Sequence, residues 1–168
     1  MQFDFKGISI RTDLRSGDIG YIIYLHGSLY EKEYHYSIRF ETYVAKGLYE
    51  FYNEYDPGKD CIWICEHNNS IVGFLLLMHR ENHAAQLRYF IILPEYRGIG
   101  LGKKLMDLFI TWLNEHDYRS AYLWTTNEQL AAASLYKKYG FSLVEEHEST
   151  SFGKLLKEQR YELILNGD

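Results

Sequence analysis

Three glycines follow an apolar run near the middle of the chain, and this arrangement can bind a phosphate. Residues 89–93 predict a buried strand that ends at Pro94, because proline cannot donate a hydrogen bond to a sheet. Gly98, Gly100 and Gly102 come next, and a helical pattern begins at once. The first N–H groups of a helix lack partners within the helix and can bind an anion that glycine lets approach the backbone. We therefore predict a phosphate site here; the alternative is a glycine-rich turn without a ligand.

Two common phosphate-binding motifs do not fit this spacing. The Walker motif G-x-x-x-x-G-K-[ST] fails because Arg97 stands at its first glycine and Lys104 at its Ser or Thr. The dinucleotide motif G-x-G-x-x-G fails because the glycines here alternate. The spacing is instead R-x-x-G-x-G, with Arg97, Gly100 and Gly102 at the fixed positions. It resembles the acetyl-CoA pyrophosphate loop of the GNAT N-acetyltransferases.

A second pattern, A-x-x-L-Y-x-x-x-G-F, spans residues 132–141, with its tyrosine at Tyr136. In the GNAT family a helix with this pattern lies beside the CoA thiol, and the tyrosine hydroxyl faces the sulfur. The resemblance implies an α/β GNAT fold: a central mixed, mostly antiparallel twisted sheet of about six to seven strands, flanked by about four helices and splayed at the CoA site.

A narrower resemblance covers nearly the whole chain. It is to the acetyltransferase half of fused MarR-type regulator/N-acetyltransferase proteins. Residue 8 is expected to begin the catalytic domain already, so we expect no helix-turn-helix half here and do not carry over its DNA-binding role. The segments that carry this resemblance are 17–20, 26–34, 40–41, 123–125 and 151–153.

The resemblance implies acetyl-CoA as the co-substrate. Its pantetheine arm is expected beside the backbone of Phe90, Ile91 and Ile92, as an added strand would lie. The pyrophosphate is expected on the N–H groups of the glycine turn, where Arg97 and Lys103 can add charge-assisted contacts or can equally remain solvated cations. The expected cofactor contacts also include Gly98, Ile99, Gly100, Leu101, Gly102, Asn127, Gln129 and Tyr136.

Acetyl transfer to an amine needs a free amine, a polarised carbonyl and a proton for the leaving thiolate. Tyr136 is the predicted general acid, the alternative being a tyrosine that only packs in the core. A backbone N–H of Ile91 or Ile92 is expected to polarise the carbonyl. The strand before Tyr136 lacks the glutamate that many relatives carry, so Glu33 and Glu41 are the candidate bases, although both can be solvated helix residues. The missing glutamate leaves a catalytically inactive acyl-CoA sensor as the alternative function.

The acceptor amine, on a small molecule or a protein, is expected among the aromatic residues of the N-terminal third. Aromatic residues make up 17% of the chain, and nine of its sixteen tyrosines lie in residues 21–55. Tyr30, Tyr34 and His26 are the candidate acceptor-binding residues, although core packing explains them equally well. The histidines lack metal-ligand spacing such as H-E-x-x-H, so no metal is predicted.

The composition limits the partners. A length of 168 residues predicts one domain, and the resemblance implies that residues 1–168 form a single N-acetyltransferase domain. The net charge of −5 predicts no nucleic-acid partner. The chain has no apolar stretch of membrane-spanning length, and residues 1–6 show no signal-peptide pattern, so we expect no membrane partner and a cytoplasmic location. Cys61 and Cys65 lie roughly 13 Å apart if they share a strand, too far for a disulfide. The resemblance leaves a homodimer open.

Periodicity and turn residues predict the elements that must position these groups. Gly27 and Gly140 are each expected to end a helix, and Leu130 is expected to face inward. Predicted strands are 7–13, 61–66, 71–78, 84–93, 121–125, one that starts at 141, and 160–165. Predicted helices are 19–26, 38–55, one that starts near 101, and 128–139.

Overall fold

The computed structural model describes Phe5 and residues 7–165, so most of residues 1–6 and the last three residues lie outside it. Seven strands and four α-helices are present in this part of the chain, together with a 3₁₀ turn, Pro94–Tyr96. The strands are β1 (Ser9–Arg11), β2 (Cys61–His67), β3 (Ser70–Arg80), β4 (Ala84–Ile92), β5 (Ser120–Thr126), β6 (Ser142–Ser149) and β7 (Leu156–Ile164). The helices are α1 (Asp18–Tyr34), α2 (Ile38–Glu54), α3 (Leu101–Glu115) and α4 (Leu130–Lys138).

The strands form one sheet in the order β1-β2-β3-β4-β5-β7-β6. Every neighbouring pair is antiparallel except β4 and β5, which are parallel. Parallel strands need a crossover connection, and here that connection contains the helix α3. The predicted mixed, mostly antiparallel sheet with four helices is confirmed.

Helices cover both faces of this sheet. Leu75 and Leu77 of β3 pack in the core under α3 and α4, whereas Phe74 and Leu76 pack in the core under α1 and α2. Alternate residues of a strand point to opposite faces, and both faces here are buried. This explains why β3 is a continuous apolar run in the sequence rather than an alternating one.

The strands β4 and β5 pair for only three residues and then diverge. The paired residues run from Ala84 with Ser120 to Gln86 with Tyr122. β4 then continues for six more residues and β5 for four more without pairing to each other. This fork, defined here as the gap between β4 and β5 beyond Gln86 and Tyr122, leaves backbone groups of both strands free to meet a ligand.

A β-bulge bends β4 just beyond the start of the fork. Arg88 pairs with Leu76 and Ile91 pairs with Phe74, so Tyr89 and Phe90 together lie opposite Leu75. Tyr89 has a φ of 56°, which a tyrosine rarely adopts. As a result Tyr89 packs in the α1–α2 core, the side on which Arg88 also stacks on an α2 tyrosine.

Two predictions about the helices were wrong. Helix α1 does not end at Gly27 but continues to Tyr34, and His35, with a φ of 60°, ends it. Gly27 lies where the Glu41 side chain of α2 packs against α1, and a Cβ at residue 27 would overlap that carboxylate. The glycine therefore permits close helix packing rather than a helix stop. Leu130 is 75% exposed because it is the first residue of α4 and lies outside both cores.

Two further predictions hold, for Gly140 and for the cysteines. Gly140, with a φ of 91°, follows the C-terminal end of α4. Cys61 and Cys65 are free and buried in β2, and burial raises the pKa of each thiol to about 12, so neither is a reactive thiolate at neutral pH. None of the helices that the structure describes is long and apolar enough to cross a membrane.

The contact between α2 and the bulge predicts that replacing a helix glycine by alanine destabilises the protein, the reverse of the usual effect. A Cβ at Gly47 would overlap the Tyr89 hydroxyl, whereas a Cβ at Gly20 in α1 meets no atom within 4 Å. Glycine to alanine normally stabilises a helix by up to about 1 kcal/mol, and overpacking costs about 1–3 kcal/mol. We expect Gly47→Ala to lower the melting temperature, and its matched control, Gly20→Ala, to preserve or raise it. Equal increases in both variants would contradict the packing seen here.

Candidate functional site

Two recesses meet at the fork. The first, which we call the groove, has a volume of about 280 Å³ and lies between β4, the glycine turn and α4. The second, which we call the inner cavity, has a volume of about 80 Å³ and lies under α1 and α2, between β4 and β5. Tyr30, Phe90 and Gln129 line both. A ligand in the groove can therefore contact a ligand in the inner cavity across the fork.

The glycine turn has the geometry of an anion site. Gly98 and Gly100 have φ values of 72° and 93°, in the left-handed region that other residues rarely adopt. Gly100 is the N-cap of α3, and no side chain in the described part of the chain caps that terminus. The N–H groups of the first turn are therefore available to an anion, and the helix dipole favours negative charge there. Gly98 and Gly102 line the groove.

Arg97 lines the groove, but its guanidinium is held by Glu33 of α1. The Arg97 Nη1 and Nη2 atoms donate to the two carboxylate oxygens of Glu33 at 2.8 and 3.3 Å, and Nε donates to the Ile92 carbonyl at 2.9 Å. The sequence assigned these two side chains to different roles, a phosphate contact and a base. The structure brings them together as an ion pair, and both oxygens of Glu33 are engaged.

Lys103 and Asn127 lie outside the lining of both recesses. The Lys103 ammonium donates to Asp107 one turn along α3 at 2.9 Å, while 72% of its side chain remains exposed. Asn127 Oδ1 accepts a hydrogen bond from the Lys157 backbone N–H at 2.8 Å. Asn127 therefore joins the end of β5 to β7.

Tyr136 lies on α4 and lines the inner cavity, 5% exposed. Its ring contacts that of Phe90, with 6.3 Å between the ring centroids. Burial raises the pKa of the Tyr136 hydroxyl above its ordinary value, so the group keeps its proton at neutral pH. A hydroxyl that keeps its proton can donate it in a hydrogen bond.

His26 also lines the inner cavity and is only 1% exposed. Its Nδ1 lies 2.9 Å from the Ile22 carbonyl oxygen, which can only accept, so Nδ1 carries the hydrogen. Burial lowers the pKa of His26 to about 4, so the ring is neutral at pH 7. Nε2 is then a bare acceptor, and it has no partner among the described residues.

The predicted acceptor tyrosines occupy different positions. Tyr30 is buried and lines both recesses, whereas Tyr34 lines only the groove. Tyr30 packs on Phe40 with 4.8 Å between ring centroids, so part of the aromatic content serves the core. Both interpretations of these residues, core packing and site lining, therefore apply to Tyr30.

Glu41, the second predicted base, packs against Gly27 between α1 and α2 and does not line either recess. The carboxylate in the lining of the inner cavity is Glu158 of β7. Glu158 pairs with Thr126 across the sheet, lies 3.3 Å from His147 Nε2, and is 21% exposed. Sequence analysis missed it because residue 158 precedes the predicted strand 160–165, whereas β7 begins at Leu156.

Sequence analysis also missed other lining residues, three of which come from distant segments. Arg88 lies on β4 within the fork, Thr125 lies near the end of β5, and Phe152 comes from the loop between β6 and β7. The segment 151–153 was noted for its resemblance alone, without a role. Only the order of the strands in the sheet brings these distant segments to one cavity.

Comparisons with known proteins agree with this geometry. The sequence model of the acetyltransferase (GNAT) family matches residues 28–141. An uncharacterized N-acetyltransferase of Escherichia coli K12, YjgM, is 29% identical over 107 residues, which are 62% of this chain and 64% of that protein. The chain spans less than two thirds of the length of the curated relatives that it matches.

Solved structures show the same fold. An acetyltransferase of the GNAT family from Staphylococcus aureus Mu50 superposes with a TM-score of 0.78 and 25% identity, over 95% of this chain and 99% of that one. A protein from Bacillus anthracis described as a streptothricin acetyltransferase, in complex with acetyl coenzyme A, gives a TM-score of 0.59 and 27% identity, over 68% of this chain and 69% of that one. The sheet described above is the GNAT fold, and the chain belongs to the acetyltransferase (GNAT) family.

Proposed function

We propose that this protein transfers an acetyl group from acetyl-CoA to a primary amine by direct attack in a ternary complex. The observation that carries the proposal is the meeting of the groove and the inner cavity at Tyr30, Phe90 and Gln129. A donor in one recess and an acceptor in the other would touch there. The acetyl-CoA complex of the structurally similar Bacillus anthracis protein supports the identity of the donor.

In this proposal the groove holds acetyl-CoA. The pyrophosphate lies on the free N–H groups at the start of α3, and the pantetheine arm lies along β4 at Phe90, Ile91 and Ile92, where the fork has removed the neighbouring strand. Ile99 and Leu101 belong to the same turn and contribute backbone N–H groups. No side chain need reach the phosphates for this binding to occur.

The chemical step needs one proton to leave the amine and one to reach the sulfur. The amine nitrogen attacks the thioester carbon, and a backbone N–H of Ile91 or Ile92 stabilises the oxyanion. The carbon–sulfur bond then breaks, the CoA thiolate takes the proton of the Tyr136 hydroxyl, and the proton that the acetylated nitrogen loses restores that hydroxyl, directly or by way of water. Before the attack, the ammonium proton leaves through Glu158, directly or by way of water, because this is the carboxylate in the lining of the inner cavity.

We propose in addition that the chain acts as a single domain in the cytoplasm, without a nucleic-acid or membrane partner. The net charge of −5 and the free cysteines are consistent with this. The relation to the acetyltransferase half of MarR-type fusion proteins and the homodimer remain predictions from the resemblance.

Tyr136→Phe tests the general acid. It removes the proton donor but keeps the ring packed on Phe90. We expect kcat to fall by about one to two orders of magnitude, measured by thiol release, with an unchanged Kd for acetyl-CoA by calorimetry. Tyr161→Phe is the control, because Tyr161 is buried beside Tyr136 but lines neither recess. An unchanged kcat in Tyr136→Phe would remove this residue from the mechanism.

Glu33→Gln separates two roles for Glu33. If the carboxylate only holds Arg97, its loss removes a negative charge beside the groove and frees the guanidinium for the phosphates. We then expect the KM for acetyl-CoA to fall about two- to fivefold, the size of a partly exposed ion pair, with little change in kcat. A fall in kcat of a hundredfold or more would instead identify Glu33 as the base.

Glu158→Gln tests the proton exit from the inner cavity. We expect kcat to fall by about one to two orders of magnitude at pH 7, and the loss to shrink as the pH rises, because solution then supplies more free amine. Glu148→Gln is the control, since Glu148 lies exposed on the neighbouring strand β6. A variant with wild-type kcat across this pH range would exclude Glu158.

Acetyl-CoA binding without transfer to any amine would favour a sensor over an enzyme.

A further inference from the structure

Arg88 lines the inner cavity, and its guanidinium lacks an anionic partner among the described residues. Arg88 stacks on the rings of Tyr43 and Tyr89, with 5.6 and 4.7 Å between its Cζ atom and the ring centroids. Its Nη1 lies 3.9 Å from the Met78 sulfur, a weak acceptor. No carboxylate oxygen in the described part of the chain lies within 4.0 Å of the Arg88 guanidinium. By contrast, the Arg97 guanidinium at the groove pairs with Glu33.

The fold holds this guanidinium in place. The bulge on β4 places Arg88 and Tyr89 together beneath α2, and Gly47 of α2 leaves the space that both side chains occupy. Stacking on two aromatic rings restricts a planar guanidinium without using its N–H donors. An oriented guanidinium with free donors is suited to bidentate binding of a carboxylate.

Other polar atoms of the same cavity are also unsatisfied. His26 Nε2, the Tyr89 hydroxyl and Thr125 Oγ1 are buried, lack partners among the described residues, and belong to side chains that line the cavity. Buried polar atoms normally have partners, so three together favour a polar occupant, either ordered water or a ligand that displaces it. The two hydroxyls can donate to a carboxylate, whereas the neutral His26 can only accept from an N–H or O–H group.

We infer that the acceptor is a small amine that also carries a carboxylate, such as an amino acid, and that Arg88 binds this carboxylate. The inference rests on the proposed function and names its substrate class. Glu158 supplies the opposite charge within the lining, which suits the ammonium group of a zwitterion. A volume of about 80 Å³ admits a small molecule or the end of one. A lysine side chain within a protein, or a polyamine, has no carboxylate on the same unit to offer Arg88.

The test compares acceptors that differ only in the carboxylate. The common L-amino acids, β-alanine and 4-aminobutyrate are assayed with acetyl-CoA by thiol release, each beside its primary amide and its decarboxylated amine. We expect kcat/KM for the best acid to exceed that of its amide by about thirtyfold or more, in line with a charge-assisted hydrogen bond. Arg88→Gln is expected to reduce this ratio to about threefold or less, with the acetyl-CoA Kd unchanged, and Arg88→Lys to give an intermediate ratio.

Arg39→Gln is the matched control, because Arg39 lies exposed on α2 and lines neither recess, so the ratio should stay at its wild-type value. Circular dichroism and melting temperature show whether Arg88→Gln folds; if it does not, Arg88→Lys carries the comparison. Amides or decarboxylated amines that match the acids, or a ratio unaffected by either substitution, would overturn the inference and leave the proposed function intact.

Failure of the proposed function itself has a different signature, namely no transfer to any amine in the panel. In that case the same acids are added to the wild-type protein and to Arg88→Gln in the presence of CoA. A rise in melting temperature with an acid but not with its amide, lost in Arg88→Gln, supports carboxylate binding at Arg88. No such rise would overturn the inference.

Discussion

The structure depends on the point at which β4 and β5 stop pairing. Parallel pairing ends after Gln86 and Tyr122, and a bulge at Tyr89 and Phe90 follows on β4. One consequence is the groove, where β4 can pair with an extended ligand instead of a strand. The other is the inner cavity beneath α1 and α2. Both recesses of the site therefore follow from the loss of a few backbone hydrogen bonds at the centre of the sheet.

Chain segments distant in sequence close the cavity that the fork opens. Phe152 packs on Tyr36 and Phe40, and its carbonyl oxygen accepts from the N–H of Ser37, the N-cap of α2. Lys154 then joins the Tyr34 carbonyl to the Glu128 carboxylate. The loop between β6 and β7 thus links the α1–α2 corner to the turn before α4, and this fixes the wall of the cavity.

Charge is distributed differently in the two recesses. In the groove, Arg97 is neutralised by Glu33, so the anion site depends mainly on the backbone N–H groups of the α3 terminus. In the inner cavity, Arg88 and Glu158 both line the wall and do not pair with each other. The groove therefore suits an anion held by backbone N–H groups of the protein. The inner cavity suits a ligand that carries one negative and one positive charge.

The sequence by itself determined most of the local elements and the glycine turn beside the groove. Periodicity located the strands and helices within about four residues, except that α1 ends at Tyr34 rather than near Gly27, and the spacing R-x-x-G-x-G located the turn whose glycines adopt left-handed φ values. These features are local, so the chain encodes them within a few residues. Tertiary structure alone decided that Gly27 packs against Glu41 rather than ends a helix, that Glu33 binds Arg97, and that Arg88 and Glu158 line one cavity. Each of these facts is a contact between segments far apart in sequence, and such contacts are set by strand order and helix packing, which no local pattern specifies.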